Sequence, residues 1–300
     1  MNFLSVLETT EAGINGFLQL AQKVKAGGQE YSRALASKAL VMLFEKSSTR
    51  TRISFDVAAS QLGGHAISLD FSQIQASRGE SIADTARALS VYADCIIARL
   101  YKQEDMVELE KYSGVPVING QTDEEHPCQA LSDLLTMKEH GKLGRGKVLC
   151  YIGDANRNVA NSLIVACAKS GMEVRIACPP GYEPRAKFLG EAKKFSTALV
   201  FEDAFEAVKG ADVVYTDRWS DKIGEEDSSK RATLLAKYRV DSAILEKAAG
   251  DCILMHPLPA NRGMEIASEC LDGEKSVVWE QAKNRLHMQK AILLKVLGKA

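Results

Sequence analysis

Short apolar runs alternate with stretches whose apolar positions recur every three or four residues, and the alternation continues along nearly the whole chain. The short runs read as buried strands and the longer spacing as helix. In the first half the strand-like runs are residues 39–44 (ALVMLF), 65–69 (HAISL), 93–98 (ADCIIA) and 115–118 (VPVI), with helical patterns at 51–62, 80–91 and 103–113. In the second half they are 147–152 (KVLCYI), 172–178 (MEVRIAC), 198–201 (ALVF), 212–216 (DVVYT) and 252–255 (CILM), again with helices between. Strands that alternate with helices assemble into parallel sheets covered on both faces. The pattern predicts an α/β protein of two doubly wound parallel-sheet domains. Glycine and charge interrupt it at 139–146 (EHGKLGRG), after a helix that starts at Pro127, so the expected domains are 1–140 and 141–279. A last helix from Glu280 to Leu297 is expected to pack back on the first domain and to take 280–300 with it.

Composition narrows the classes of function. Three hundred residues, 46% hydrophobic and 26% charged, suit a soluble globular protein of about two domains. The 38 basic and 39 acidic residues are well mixed and leave a net charge of −1, so neither nucleic acid nor an anionic membrane is an expected partner. A site for an anion must then be a local concentration of charge. No basic-then-apolar leader opens the chain, and no apolar run approaches the roughly 18 residues of a membrane span. Seven cysteines contain no CxxC and lie mostly in apolar runs, which reads as buried thiols in a reducing cytoplasm. Five histidines show no zinc spacing, so no metal is expected.

Ligands of open α/β sheets bind beyond the carboxyl ends of the strands, which makes the polar residues after each run the candidates. After the first come Ser48, Thr49, Arg50 and Thr51, between a strand and the helical pattern of Ile53, Val57, Ala58 and Leu62. Free N–H groups and the helix dipole favour an anion at such a turn, and Arg50 adds a forked charge. A helix cap with solvated arginines reads equally well from this string alone. Arg99 closes the run 95–98 and places a second guanidinium at a strand end. His126 precedes Pro127, which fits a first helical turn, and Gln129 follows one turn on, so imidazole and amide can address one small ligand.

Seven motifs occur in order: Ser48-Thr49-Arg50-Thr51, the strand-closing Arg99, His126-Pro127-x-Gln129, Gly153-Asp154-x-x-x-Asn158-Val159, Thr216-Asp217-x-Trp219, His256-x-Leu258-Pro259 and Lys283-Asn284-Arg285. Together they resemble the aspartate/ornithine carbamoyltransferase family, and the match runs from near residue 40 to the final helix. The resemblance implies that Ser48, Thr49, Arg50 and Thr51 hold the phosphate of carbamoyl phosphate, with Arg99 as a further phosphate and carbonyl contact. It implies that His126 and Gln129 bind the carbamoyl end, that Arg285 reaches the same pocket, and that Gln75 enters the site of a neighbouring subunit in a homotrimer. Arg50, Arg99, His126 and Arg285 would then carry the catalysis, without cofactor or covalent nucleophile.

Within the family the second half is most similar to the ornithine branch. Asn158 and Asp217 stand where the aspartate branch carries arginine, and an acid suits an α-ammonium group but repels a second carboxylate. The turn 153–158 also lacks the G-x-G-x-x-G of a dinucleotide site. The resemblance implies transfer to the side-chain amine of L-ornithine, giving L-citrulline and phosphate, with Pro257 and Leu258 beside the amine. Two departures bear on that acceptor. Pro257 replaces the cysteine usual in the ornithine branch, and Ser220–Gly224 with Lys222 replaces its Ser-Met-Gly loop. An acylated ornithine, another diamino acid, putrescine or aspartate is the alternative acceptor, and a silent carbamoyl phosphate-binding paralogue the alternative class.

Overall fold

The structure, a computed structural model, describes residues 1–27, 29–219 and 226–300, and the side chains of all of these except 226–230. The chain divides into two compact units, residues 1–135 with 284–300, and residues 136–283.

The first unit is built on a parallel sheet of β1 (Ala39–Phe44), β2 (His65–Asp70), β3 (Cys95–Arg99) and β4 (Val117–Gln121), in the order β2-β1-β3-β4. Central parallel strands are covered on both faces, which is why β1 and β3 read as unbroken apolar runs. Leu40–Phe44 and Cys95–Ala98 are accordingly buried. β2 is an edge strand and leaves Ile67 41% exposed. At the other edge Phe3 forms a parallel bridge with Ile118, its N–H donating to the Val117 carbonyl at 2.9 Å.

The helix Glu11–Ala26, which the strand-helix alternation does not call for, buries Ile14, Phe17, Leu18 and Ala21. The helix Thr49–Gln61 forms where expected, with Ala58 and the following Leu62 buried but Ile53 turned outward. It buries Thr51, Phe55, Ala58 and Ala59, while Ile53 is 58% exposed. At 3.6 residues per turn, Ile53 lies roughly 200° around the axis from Thr51, so the two cannot share a face. The last helix, Val278–Val296, belongs to the first unit from Asn284 onward and buries Met288, Ala291, Ile292 and Leu294.

The second unit carries β5 (Val148–Ile152), β6 (Glu173–Ala177), β7 (Ala198–Phe201), β8 (Val213–Thr216) and β9 (Ile253–Met255), all parallel, in the order β7-β6-β5-β8-β9. Its core joins Cys150, Ile152, Val214 and Leu254 from the sheet to Trp219, Tyr238 and Ile266 from the loops and helices beside it. All seven cysteines are buried and none forms a disulfide. No helix among the described residues is long and apolar enough to cross a membrane.

Each sheet has one point where its winding reverses. The chain steps from β1 outward to β2 and then returns to the other side of β1 with β3. It likewise winds from β5 through β6 to β7 before β8 returns beside β5. The carboxyl ends of β1 and β3, and of β5 and β8, are therefore where the topology opens a crevice for a ligand.

Candidate active site

Ser48–Thr51 follow β1, and Arg99 ends β3, so they occupy the crevice of the first unit. Ser48 is the N-cap of the helix Thr49–Gln61, and its hydroxyl accepts from the Thr51 N–H at 3.3 Å. The string is thus a cap, and its turn presents helix N–H groups and the dipole in the way that suits an anion. Thr49 is exposed, Arg50 half-buried and Thr51 fully buried in the first turn. Buried Arg285 of the last helix donates from Nη2 to the Thr51 hydroxyl at 2.7 Å. A residue 234 positions later in the chain thereby reaches the cradle.

Arg99 lies opposite Phe44 in the β1–β3 register, and its carbonyl accepts from the Glu45 N–H at 2.9 Å. A register shift at Ala98/Arg99 pairs Arg99 with Gln121 of β4. The four residues after Gln121 lead to His126, which is buried immediately before the helix Pro127–Glu139. Burial, and then the positive charges of Arg285 and Arg99, hold the His126 imidazole well below its usual range. The side chain is therefore neutral at pH 7, between two guanidiniums that stay charged. Burial pushes the neighbouring Cys128 thiol up to about 12, and Arg285 only partly opposes it. That thiol donates to the Asn119 carbonyl at 3.3 Å and is not poised as a nucleophile.

Gln129 is buried one turn into this helix, and its amide Nε2 donates to Asp133 at 2.8 Å. Gln75, also expected from this half, is exposed. It opens the exposed turn Gln75–Arg78, which ends at Gly79 in the left-handed region at φ 103°. The cluster that forms, Ser48–Thr51, Arg99, His126 and Arg285, offers fixed positive charge, hydroxyls and helix N–H groups around a neutral imidazole. Such a set stabilises a phosphate and a developing oxyanion together.

In the second unit Asn158 opens the helix Asn158–Lys169 after β5, and Asp217 follows β8. Asp217 is buried, accepts from the Arg218 N–H at 2.7 Å, and has Arg157 Nε 3.7 Å away. Gly153, at φ 123°, makes the turn out of β5, and a Cβ there would lie 3.0 Å from Trp219 Nε1. The turn and the Thr216–Trp219 segment are packed against each other at a position only glycine fills. Asp154 is buried and paired with Arg231.

Pro257 and Leu258 follow β9 in a segment held by buried His256. The His256 N–H donates to Gln281 at 2.9 Å, and its Nδ1 accepts from the Leu258 N–H at 2.9 Å. The ring therefore carries its proton on Nε2, 3.3 Å from the carboxylate of fully buried Glu265. Leu258 sits at φ 56°, a conformation that a branched side chain rarely adopts and that this network maintains. The Ser220–Gly224 loop with Lys222 lies outside the described residues.

Asp133 and Glu265 are buried acids beside expected site residues that strand-end reasoning passes over, and Arg231 is the partner it does not foresee for Asp154. Asp133 has a signal in the chain, since it stands four positions from Gln129 on one helix face. Glu265 has none, and the Asp154–Arg231 pair has none, because the fold brings each acid to its partner. Among the described residues no group of three or more histidine, cysteine or acidic side chains could hold a metal ion.

Residues 1–139 match the carbamoyl-P binding domain of aspartate/ornithine carbamoyltransferase, and 145–296 its Asp/Orn binding domain. The chain is 45% identical to the ornithine carbamoyltransferase of Anoxybacillus flavithermus, over 99% of this chain and 96% of that one. It is 47% identical to that of Methanobrevibacter smithii, over 97% of this chain and 98% of that one. The structure of ornithine carbamoyltransferase from Pyrococcus furiosus superposes with a TM-score of 0.95 at 42% identity, covering 99% of this chain and 97% of that one. With both halves of the chain matched by the two domain models and the fold shared at full length, the chain belongs to the aspartate/ornithine carbamoyltransferase family.

Proposed function

We propose that this enzyme is a transferase that moves the carbamoyl group of carbamoyl phosphate to the side-chain amine of L-ornithine, giving L-citrulline and phosphate. The observation that carries the donor half is the Arg285–Thr51 hydrogen bond, which joins the last helix to the Ser48–Thr51 cap beside His126. The acceptor half rests on Asn158 and Asp217 at the second switch point, and on the ornithine carbamoyltransferases to which the chain is similar over its full length.

In this reading the first unit binds carbamoyl phosphate and the second binds the amino acid. Ser48, Thr49, Arg50 and Thr51 take the phosphate oxygens, and Gln129 takes the carbamoyl amide. The neutral amine attacks the carbamoyl carbon. His126 and Arg99 stabilise the oxyanion of the tetrahedral intermediate, while Arg50 and Arg285 stabilise charge growing on the departing phosphate. His126 does this as a neutral imidazole, since its surroundings disfavour the proton. Asp217 and Asn158 hold the α-ammonium and α-carboxylate, and the backbone of Pro257 and Leu258 orients the amine. Gln75 serves the site of a neighbouring subunit in a homotrimer, a reading supported by its exposure and by the exposed Ile53 and Ile67 of the same unit. Seven buried thiols outside any disulfide suit a reducing cytoplasm, and citrulline made there feeds arginine biosynthesis.

Phosphate release from carbamoyl phosphate tests this against ornithine, acetylornithine, putrescine, diaminopropionate, lysine and aspartate. Ornithine is expected to give the highest kcat/KM. Because Pro257 stands where the ornithine branch has cysteine, the other amines are the pointed controls. No release with ornithine would overturn the acceptor, and no release with any amine would overturn the enzyme. Arg50→Lys keeps the charge but loses the fork, and kcat/KM is expected to fall by roughly 100-fold or more.

A further inference from the structure

We propose that Asp133 is a positioning residue that fixes the amide of Gln129, so that its carbonyl oxygen, not its NH2 group, faces the amino group of the carbamoyl donor. The inference rests on the carbamoyl phosphate reading given above and adds to it the device that tells a carbamoyl from an acetyl group.

Gln129 and Asp133 lie one turn apart on the helix Pro127–Glu139, and both are buried. The side chain of Gln129 makes one hydrogen bond among the described residues, from Nε2 to Asp133 Oδ1 at 2.8 Å. A glutamine amide has nearly identical shapes in its two orientations, so its partners alone decide which end points where. A carboxylate offers acceptors only. Facing Asp133, the amide must present its NH2, because the flipped form would set oxygen against oxygen in a buried place. The carbonyl oxygen Oε1 is then directed away from Asp133.

That orientation has a chemical consequence. An acceptor in the pocket is satisfied by the NH2 of a carbamoyl group and left unpaired by the methyl of an acetyl group. A buried acceptor without a donor is costly, and sites built around a substrate N–H reject analogues that lack it. With the amide reversed, its NH2 would meet the ligand NH2 and the preference would vanish. Asp133 thus acts on selectivity through Gln129 and has no need to touch the ligand.

The test uses two stable phosphonates that differ only in this group, phosphonoacetamide with NH2 and acetonylphosphonate with CH3, and inorganic phosphate as a control for the cradle. Calorimetric titration of the wild-type protein is expected to favour phosphonoacetamide roughly 10- to 100-fold, the cost of one unpaired acceptor. In Asp133→Asn the new side chain can donate or accept, so Gln129 takes either orientation. In Asp133→Ser the constraint is weakened further. Both variants are expected to reduce the preference to about threefold or less, by weakening phosphonoacetamide while phosphate and acetonylphosphonate bind nearly as before.

A merely structural role would weaken all three ligands together and leave the ratio intact, and that result overturns the inference. So does a wild-type protein that binds both phosphonates equally. Wild-type protein that binds none of the three overturns the carbamoyl phosphate reading and the inference with it. A neutron structure of the wild-type complex decides the matter even if neither variant folds. Deuterons of Gln129 on the Asp133 side support the assignment, and deuterons on the ligand side overturn it.

Discussion

His126 shows how one residue's surroundings set both its chemistry and its cost. Burial and the charges of Arg285 and Arg99 disfavour its protonated form, so the imidazole stays neutral beside two guanidiniums. The same shift is a stability term. In the unfolded chain the imidazole titrates near 6.5, while in the native chain it resists the proton to a lower pH. Below about 6.5 the unfolded state therefore binds a proton that the native state refuses, and native stability falls by up to about 1.4 kcal/mol per pH unit from this group alone. Above that pH the contribution is fully present. His126→Asn is expected to remove this part of the slope, so urea unfolding of variant and wild type at pH 7.5 and 5.5 should show a smaller pH effect in the variant. An equal slope in both would assign the acid sensitivity elsewhere. Thr51 carries a comparable cost, since its buried hydroxyl accepts from the Arg285 guanidinium. Thr51→Val keeps the shape and strands the donor, for an expected loss of about 1–3 kcal/mol of stability and a raised KM for carbamoyl phosphate. Thermal unfolding and initial-rate kinetics on the same sample measure both.

Elements differ in how clearly the chain announces them, and the difference is physical. β1, β3, β5 and β8 are central parallel strands, so their two buried faces write themselves as continuous apolar runs. Polar residues at the ends of those runs were accordingly legible as site candidates, and Ser48, Arg99 and Asp217 lie there, while His126 follows the edge strand β4. On the helix Thr49–Gln61 Ala58 and the following Leu62 are buried as their spacing suggests, whereas Ile53 is exposed, because only packing tells a core position from an exposed apolar one. The Arg285–Thr51 bond and the His256–Glu265 pair were invisible for another reason, since no local pattern links residues that only the fold makes neighbours. Gly153 falls between these cases. A glycine after a strand signals a tight turn, but only the fold shows Trp219 filling the space of its missing side chain. Gly153→Ala must strain a φ of 123° and push on the indole, at an expected cost of about 1–3 kcal/mol. Because Trp219 lies two residues from Asp217, the variant should raise KM for ornithine while leaving KM for carbamoyl phosphate near the wild-type value. Equal changes in both constants would mean that the strain spreads beyond the acceptor half.

For the whole molecule the question is whether one chain completes a site. Gln75 is exposed on its turn, apart from Arg285, Thr51, Arg99 and His126, and the same unit exposes Ile53, Ile67, Val91 and Tyr92. An edge strand with exposed apolar side chains calls for a covering surface, and β2 is such a strand. In a cyclic trimer each subunit meets the next through a heterologous contact, so each could lend Gln75 to one neighbour and receive one in return. Two inactive variants then make a decisive pair. Gln75→Ala keeps its own cradle but lends a defective loop, whereas Arg50→Ala lends a sound loop but has a defective cradle. When the two are dissociated, mixed in equal amounts and reassembled at random, a site is whole only where a Gln75→Ala subunit receives the loop of an Arg50→Ala neighbour. That combination arises at about one site in four, so about a quarter of wild-type specific activity should return from two parents that have almost none. A Gln75 that served its own chain would leave every site with one defect, and mixing would restore nothing.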